Sequence, residues 1–112
     1  MERLARERLE QSGYRVLAVN HRTRAGELDL VAVEGGYLVG VEVRTKRGPA
    51  FGTPEESITV QKAERLARLV EQYAVDHPGL PDDLRVDLVA VELTLEGELM
   101  RVEIIQNAVE DG

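Results

Sequence analysis

The sequence predicts an α/β fold, and two kinds of pattern indicate it. Apolar residues recur at helical spacing over residues 2–12 and 59–76, whereas apolar and polar residues alternate over five other segments. The predicted order is therefore one helix, three strands, a second helix and two further strands. A chain of 112 residues is expected to form one domain, residues 1–112, that is large enough to bury a core.

The start of the chain is predicted to form a helix and a strand. The helix covers residues 2–12 and is expected to end at Gly13. The strand runs from Tyr14 to Asn20, and residues 21–26 are expected to form a basic loop.

The next two strands are predicted to form a hairpin. Residues 26–34 and 38–46 both alternate between apolar and polar, and Gly35-Gly36 between them is typical of a tight turn. This register puts six apolar residues on one face: Leu28, Leu30, Ala32, Val39, Val41 and Val43.

The same register brings two carboxylates together. If Glu34 pairs with Tyr37, Asp29 lies opposite Glu42, and a slip of one residue would mix the two faces. Two facing carboxylates repel each other, and a divalent cation such as Mg²⁺ relieves that repulsion. Gly40, next to Glu42, is expected to leave open space for a ligand.

The second half continues with a loop, a helix and two strands. The loop over residues 47–54 contains Phe51, which we expect to anchor it in the core. Thr59 is the expected N-cap of the second helix. Strands are predicted over residues 85–93 and 98–106, joined by a two-residue turn at Glu96-Gly97.

One short sequence occurs twice. Asp-Leu-Val-Ala-Val-Glu appears at residues 29–34 and again at 87–92. The turn at Glu96-Gly97 would place Asp87 opposite Gln106, so no second carboxylate faces it. We interpret the second copy as a structural strand, with Asp87 paired to an arginine.

Composition restricts the class of function. The net charge is −7, but the first 50 residues carry 9 Lys/Arg and 7 Asp/Glu, whereas the rest carry 5 and 14. An acidic chain does not bind nucleic acid indiscriminately, although a local basic rim near the hairpin remains open. The sequence has no apolar run long enough to span a bilayer, no visible secretory signal and no cysteine. No membrane partner is expected, and the predicted location is the cytoplasm.

A family resemblance rests on segments spread along the chain: Gly26-Glu27-Leu28-Asp29-Leu30-Val31-Ala32, Val41-Glu42-Val43-Arg44-Thr45-Lys46, Phe51-Gly52-Thr53-Pro54, Lys62, Arg85-Val86-Asp87-Leu88-Val89-Ala90-Val91 and Asn107-Ala108. They resemble the YraN family of small, mostly uncharacterised bacterial proteins, which is similar to archaeal Holliday-junction resolvases. The resemblance implies a restriction-endonuclease-like fold, a mixed sheet of about five strands flanked by helices, with a metal site on a central hairpin.

The resemblance also assigns roles to acidic residues. Asp29 matches the aspartate of the family motif, and Glu42 matches its acidic metal ligand. Glu2 matches a helical glutamate that precedes the first strand, and Glu27 is a candidate third acid. The alternatives are a solvated or arginine-paired acidic face, a salt bridge from Glu27 to Arg44, and a fraying first turn at Glu2.

Cations near these acids are candidates for catalysis. Arg44 stands where the superfamily usually has lysine, and arginine cannot act as a base, although it can stabilise charge on a phosphate. Lys46 shares the face of Glu42, and Lys62 at the start of the second helix could reach in instead. For both lysines the alternative is an ordinary surface charge.

Three arginines are candidates for a nucleic-acid-binding rim: Arg22, Arg24 and Arg47. Their alternative role is solubility. His21 and His77 are expected to be isolated surface or capping residues, because neither has a ligand partner at metal spacing.

These features favour a metal-dependent endonuclease, or a nuclease-like nucleic-acid-binding protein, that uses Mg²⁺ or Mn²⁺. Duplex or branched DNA is the expected partner, and the similarity to resolvases suggests branched DNA and a homodimer. One alternative is a catalytically inactive module on the same fold that binds nucleic acid or protein. Another is an accessory protein that binds another factor through its acidic second half.

Overall fold

A computed structural model describes residues 1–49 and 52–108. Two helices, five strands and one 3-10 turn follow the predicted order. In chain order they are α1 (Glu2–Gln11), β1 (Arg15–Thr23), β2 (Gly26–Glu34), β3 (Tyr37–Arg47), the 3-10 turn (Pro54–Ser57), α2 (Val60–Asp76), β4 (Asp83–Leu93) and β5 (Leu99–Ile105). Phe51, which was expected to anchor the loop in the core, lies outside these described ranges.

The five strands form one mixed sheet in the order β1-β2-β3-β4-β5. The pairs β1–β2, β2–β3 and β4–β5 are antiparallel, whereas β3 and β4 are parallel. Two parallel neighbours need a crossover connection, and α2 lies in that connection. The predicted α/β fold with a mixed five-stranded sheet is therefore confirmed.

One helix packs on each face of the sheet. Ala5 and Leu9 of α1 belong to a buried cluster with apolar residues of β2, β3 and β4, among them Leu30 and Val41. Leu66, Leu69, Val70 and Tyr73 of α2 belong to a second cluster on the other face. The sheet is therefore flanked by helices on both faces, as the resemblance implies. Among the described residues, no helix is long and apolar enough to cross a bilayer.

Both predicted hairpin registers are confirmed over most of their length. β2 and β3 pair from Glu34 opposite Tyr37 to Leu30 opposite Val41. β4 and β5 pair from Leu88 opposite Ile105 to Glu92 opposite Arg101, the register expected from a turn at Glu96-Gly97. A short turn determines the register of the strands that it joins, which is why both could be predicted.

The predicted helix ends are also confirmed. Gly13 follows α1 with φ of +92°, a conformation that favours glycine. Thr59 caps α2, because its hydroxyl oxygen accepts a hydrogen bond of 3.1 Å from the backbone N–H of Lys62.

The predicted basic loop over residues 21–26 is shorter in the structure. β1 continues through His21 and Arg22 to Thr23, which pairs with Gly26. The hydroxyl group of Thr23 accepts a hydrogen bond from the N–H of Ala25 and donates one to the carbonyl of Gly26, both 3.1 Å long. These bonds close a turn of only two residues, so the pairing with β2 extends further than the sequence pattern indicated.

The expectation of open space at Gly40 is wrong. A Cβ atom added there would lie 2.3 Å from Val70 Cγ2 and 3.1 Å from Leu28 Cδ2. The missing side chain at Gly40 therefore makes room for α2 to approach the sheet, and no ligand could use that space.

Candidate metal centre

β2 separates from β3 at Asp29, and this break creates the candidate site. Regular pairing ends with Leu30 opposite Val41. The Asp29 carboxylate then accepts a hydrogen bond of 2.8 Å from the backbone N–H of Val43. The Asp29 side chain thus replaces a backbone carbonyl as the hydrogen-bond acceptor at this point, and its carboxylate lies close to Glu42.

The break also changes which face Leu28 occupies. Leu30 packs in the cluster with α1, as predicted, but Leu28 packs in the cluster with α2. On the other side of β2, Asn20 adopts φ of +53°, a conformation that asparagine tolerates better than most residues. The strict alternation that placed Leu28 and Leu30 on one face therefore fails at Asp29.

Three acidic side chains converge beside this break. Glu2, Glu27 and Asp29 each place a carboxylate oxygen so that these oxygens lie within 4.8 Å of one another. All three residues are half-buried. Glu2 is oriented by Asn20, whose side-chain amide donates a hydrogen bond of 2.8 Å to its carboxylate. Asn20 was not recognised from the sequence, because an asparagine at the end of a predicted strand carries no distinctive signal.

Glu42 lies deeper than the other acids. Its exposed fraction is only 7%. Burial, the neighbouring charge of Asp29 and a hydrogen bond with Asp29 raise the pKa of Glu42 from 4.5 to about 7. Lys62 and Arg44 oppose this shift only in part. The crowding of carboxylates expected from the hairpin register is therefore present, and it strains the ionised state of Glu42.

Two cations lie against Glu42. The Nε atom of Arg44 is 3.3 Å and the Nζ atom of Lys62 is 3.6 Å from the same carboxylate oxygen. Lys62 reaches this position because it lies in the first turn of α2, beside the cap at Thr59. The Nε of Arg44 is buried and, within the described ranges, has no hydrogen-bond partner.

The alternative for Glu27, a salt bridge to Arg44, is not formed. Glu27 instead accepts a hydrogen bond of 3.2 Å from Nε of Arg22, its neighbour on β1. Because the pairing of β2 with β3 ends at Leu30, Glu27 is no longer opposite Arg44, which turns to Glu42.

Lys46 is not brought to the carboxylates. Its ammonium group donates a hydrogen bond to the carbonyl of Gly52 in the loop after β3. Lys46 thus supports that loop, and Lys62 is the lysine beside Glu42.

The three arginines predicted as a rim are divided by the fold. Arg22 is bound to Glu27, and Arg24 is exposed in the β1–β2 turn. The Nε of Arg47 donates a hydrogen bond of 2.9 Å to the carbonyl of Leu95, in the turn between β4 and β5. Arg47 is therefore held on the opposite side of β3 from the other two arginines.

The second copy of the repeated sequence has a structural role, as predicted. Asp87 is fully buried and accepts hydrogen bonds of 2.8 and 2.9 Å from Arg85, together with one of 2.6 Å from the Tyr14 hydroxyl. Burial and the bond to Asp87 raise the pKa of Tyr14 to about 12. Arg85 also binds Glu34 at 2.7 Å. This buried network leaves Asp87 no role at the acidic site.

The histidines lie away from the acids but are not isolated. The Tyr73 ring stacks on the His77 ring with centroids 4.0 Å apart, and the His21 ring meets the Tyr73 ring edge-on at 4.9 Å. His77 is the C-cap of α2, as expected for a capping residue. The two histidines came together because β1 continues past Asn20 and passes under the end of α2.

The donor atoms suit a hard divalent cation. Glu2, Glu27, Asp29 and Glu42 offer only carboxylate oxygens, which are the ligands that Mg²⁺ and Mn²⁺ prefer over nitrogen or sulfur. A cation among them would also remove the repulsion that raises the pKa of Glu42. Asp29 thus connects the cluster with Glu2 and Glu27 to Glu42, which contacts Arg44 and Lys62. We call these six residues the acidic site.

Comparison with known proteins identifies close relatives. Residues 1–91 match the model of the uncharacterised protein family UPF0102. A UPF0102 protein from Symbiobacterium thermophilum is 49% identical over 107 residues, which cover 96% of this chain and 90% of that protein. A UPF0102 protein from Pelotomaculum thermopropionicum is 42% identical, with 96% and 89% covered. One from Kineococcus radiotolerans is 44% identical, with 86% and 80% covered. The chain therefore belongs to the uncharacterised protein family UPF0102, which is the YraN family.

Proposed function

We propose that this protein is a metal-dependent endonuclease that acts on DNA at the acidic site. The observation that carries the proposal is the convergence of Glu2, Glu27 and Asp29 within 4.8 Å, beside a buried Glu42. Such a group of acids is costly for a fold to maintain, because the carboxylates repel one another and Glu42 is removed from water. A divalent cation bound among the carboxylates would offset that cost.

The roles of the residues follow from their chemistry. The four carboxylates would hold Mg²⁺ or Mn²⁺, which supplies positive charge beside the scissile phosphate when bound. Arg44 and Lys62 add the positive charge that stabilises the negative charge developing on the phosphate. Arg44 stays protonated and cannot accept the proton of the attacking water, so that proton passes to solvent. Lys46 is left out of this assignment, because it is bound to Gly52.

A second candidate is a catalytically inactive module that binds nucleic acid or protein on the same fold. The observation that favours it is the ion pair between Arg44 and Glu42. Arg44 stands where the superfamily usually has a catalytic lysine, and this pair already engages its positive charge. In that case the acidic site is an inherited scaffold. Cleavage of DNA separates this candidate from the first.

The decisive assay uses the purified protein with labelled single-stranded, duplex, flap and four-way-junction DNA, in Mg²⁺ and separately in Mn²⁺. The expected result is cleavage by the wild type and a loss of at least about 10²-fold for the Asp29→Asn/Glu42→Gln double variant, since the cation loses its ligands. Preference for the junction would support the branched DNA and the homodimer that the resemblance suggests.

A matched control guards against a contaminating nuclease. The Glu96→Gln/Glu98→Gln variant also loses two carboxylates, but these are exposed in the turn between β4 and β5, so it should cleave like the wild type. Equal cleavage by wild type and acidic-site variant would indicate a contaminant. Binding of DNA without cleavage under any condition would favour the inactive module.

A further inference from the structure

One flank of α2 carries a row of cations. Lys62, Arg65 and Arg68 are spaced three residues apart, and this spacing keeps side chains on neighbouring positions of a helix surface. Two acidic residues lie beside the end of this row, because Glu64 is four residues before Arg68 and Glu71 is three residues after it. Within the described ranges, neither glutamate forms a salt bridge with Lys62, Arg65 or Arg68.

This flank faces the turn between β1 and β2. A Cβ atom on Gly26 would lie 3.3 Å from Leu69 Cδ1 and 3.7 Å from Arg65 Cδ. Arg24 lies in the same turn, two residues before Gly26. At its other end the row begins with Lys62, which contacts Glu42. The row of cations thus begins at the acidic site and extends beside the turn that holds Arg24.

Most of these charges are free. Arg24, Arg65 and Arg68 are exposed, and within residues 1–49 and 52–108 no carboxylate oxygen lies within 4.0 Å of their nitrogens. Arg85 and Arg101, by contrast, are each bound by at least two carboxylates. Free cations in a row match a partner that carries regularly spaced negative charge.

We infer that Arg24, Lys62, Arg65 and Arg68, which we call the α2 ridge, bind the phosphate backbone of duplex DNA and guide it to the acidic site. This inference rests on the proposed function. Lys62 and Arg68 are separated by about 9 Å along the helix axis, roughly three nucleotide steps of one strand at about 3.4 Å each. The ridge can therefore contact successive phosphates.

The chemistry of the ridge favours duplex over single-stranded DNA. Proteins that hold single strands stack bases on aromatic side chains. The ridge contains none, and Tyr73, the tyrosine of α2, is buried. Contacts made only to phosphates position DNA without reading its sequence, so binding should be independent of base sequence.

The test compares two variants that lose the same charge. Arg65→Gln/Arg68→Gln changes the ridge, whereas Arg3→Gln/Arg15→Gln removes two exposed arginines from α1 and the start of β1. Binding of a labelled duplex is measured by fluorescence anisotropy in EDTA over a range of salt concentrations. The ridge variant should bind about tenfold more weakly, and its plot of log K against log salt should be shallower by about 2. The control variant should stay within about twofold of the wild type.

An additional variant and an additional substrate distinguish the possible outcomes of this experiment. Arg65→Lys/Arg68→Lys should restore binding, because lysine also contacts phosphate as a point charge. Equal weakening of binding by both Gln variants would show that only net charge matters. Normal binding by the ridge variant would show that α2 is not part of the DNA interface. Either result overturns the inference while leaving the nuclease proposal standing. Tighter binding of single strands would overturn the choice of duplex. Failure of the wild type to bind or cleave any DNA would overturn both proposals.

Discussion

Asp29 and Asp87 begin the same six-residue sequence but have different surroundings. Asp87 is fully buried, and its charge is balanced by Arg85 and hydrogen-bonded by Tyr14. Asp29 is half-buried, accepts one backbone hydrogen bond from Val43 and otherwise lies among other acids. The first arrangement balances a buried charge, whereas the second leaves a carboxylate crowded by other carboxylates. The chemistry of a carboxylate therefore depends on its partners more than on its local sequence.

This contrast predicts effects of different size on stability. Asp87→Asn should lower the free energy of unfolding by about 3–5 kcal/mol, because it removes the buried negative charge that accepts two hydrogen bonds from the buried Arg85. Asp29→Asn should cost less than about 1 kcal/mol in metal-free buffer, since the amide oxygen can still accept from Val43 and the repulsion is relieved. Urea unfolding measures both. Similar losses for the two variants would contradict the division into a structural and a functional aspartate.

At the scale of elements, the contact between α2 and β3 holds the acidic site together. Glu42 lies on β3, and Lys62 lies on the first turn of α2, so their distance depends on how closely the helix approaches the sheet. Gly40 permits that approach, because any side chain there would meet Val70. A glycine two residues from Glu42 thus acts through packing and leaves no ligand space.

Gly40→Ala should therefore destabilise the protein by about 1–3 kcal/mol through overpacking. The added methyl group meets Val70 Cγ2, so the same substitution should cost less in a Val70→Ala background. The free energies of unfolding of the wild type, the two single variants and the double variant, measured by chemical denaturation, give the double-mutant cycle. An equal cost of Gly40→Ala in both backgrounds would show that the strain arises elsewhere.

At the scale of the whole molecule, three glutamates of the second half are held by one arginine. Arg101 binds Glu55, Glu92 and Glu103 at 2.7 to 2.9 Å and so connects the 3-10 turn to β4 and β5. These three glutamates are therefore engaged within the protein, whereas Asp82, Asp83, Glu96 and Glu98 of the same half are exposed. Unrelieved crowding of acids is instead found in the first half, at the acidic site, where it lowers the stability of the fold.

The raised pKa of Glu42 predicts how the stability of the fold depends on pH. Between 4.5 and about 7 the folded state retains a proton that the unfolded state releases, so this group makes the free energy of unfolding fall as pH rises through that range. Glu42→Gln should remove that part of the fall and be more stable than the wild type above pH 7, measured by urea unfolding in EDTA. Glu64→Gln, an exposed control, should follow the wild type. A wild-type profile unchanged by Glu42→Gln would contradict the crowding of Asp29 and Glu42.

Local sequence patterns were sufficient for the elements of this fold and for part of its site. The helices, their caps and the hairpin registers near each turn depend on residues close together in the chain. Extending one register predicted that Asp29 lies near Glu42; the two are close, although the paired ladder ends before them at Leu30. Lys62 as a partner of Glu42 came from the family resemblance and agrees with the structure.

The remaining features depend on contacts between distant segments. Glu2 joins Asp29 because α1 packs against the sheet, and Lys62 replaces Lys46 at Glu42 because α2 approaches β3 at Gly40. The side chain of Asp29 ends the ladder between β2 and β3, and this break also moves Leu28 to the other face. Periodicity describes an unbroken strand, so it could not show where a side chain would interrupt the backbone hydrogen bonds.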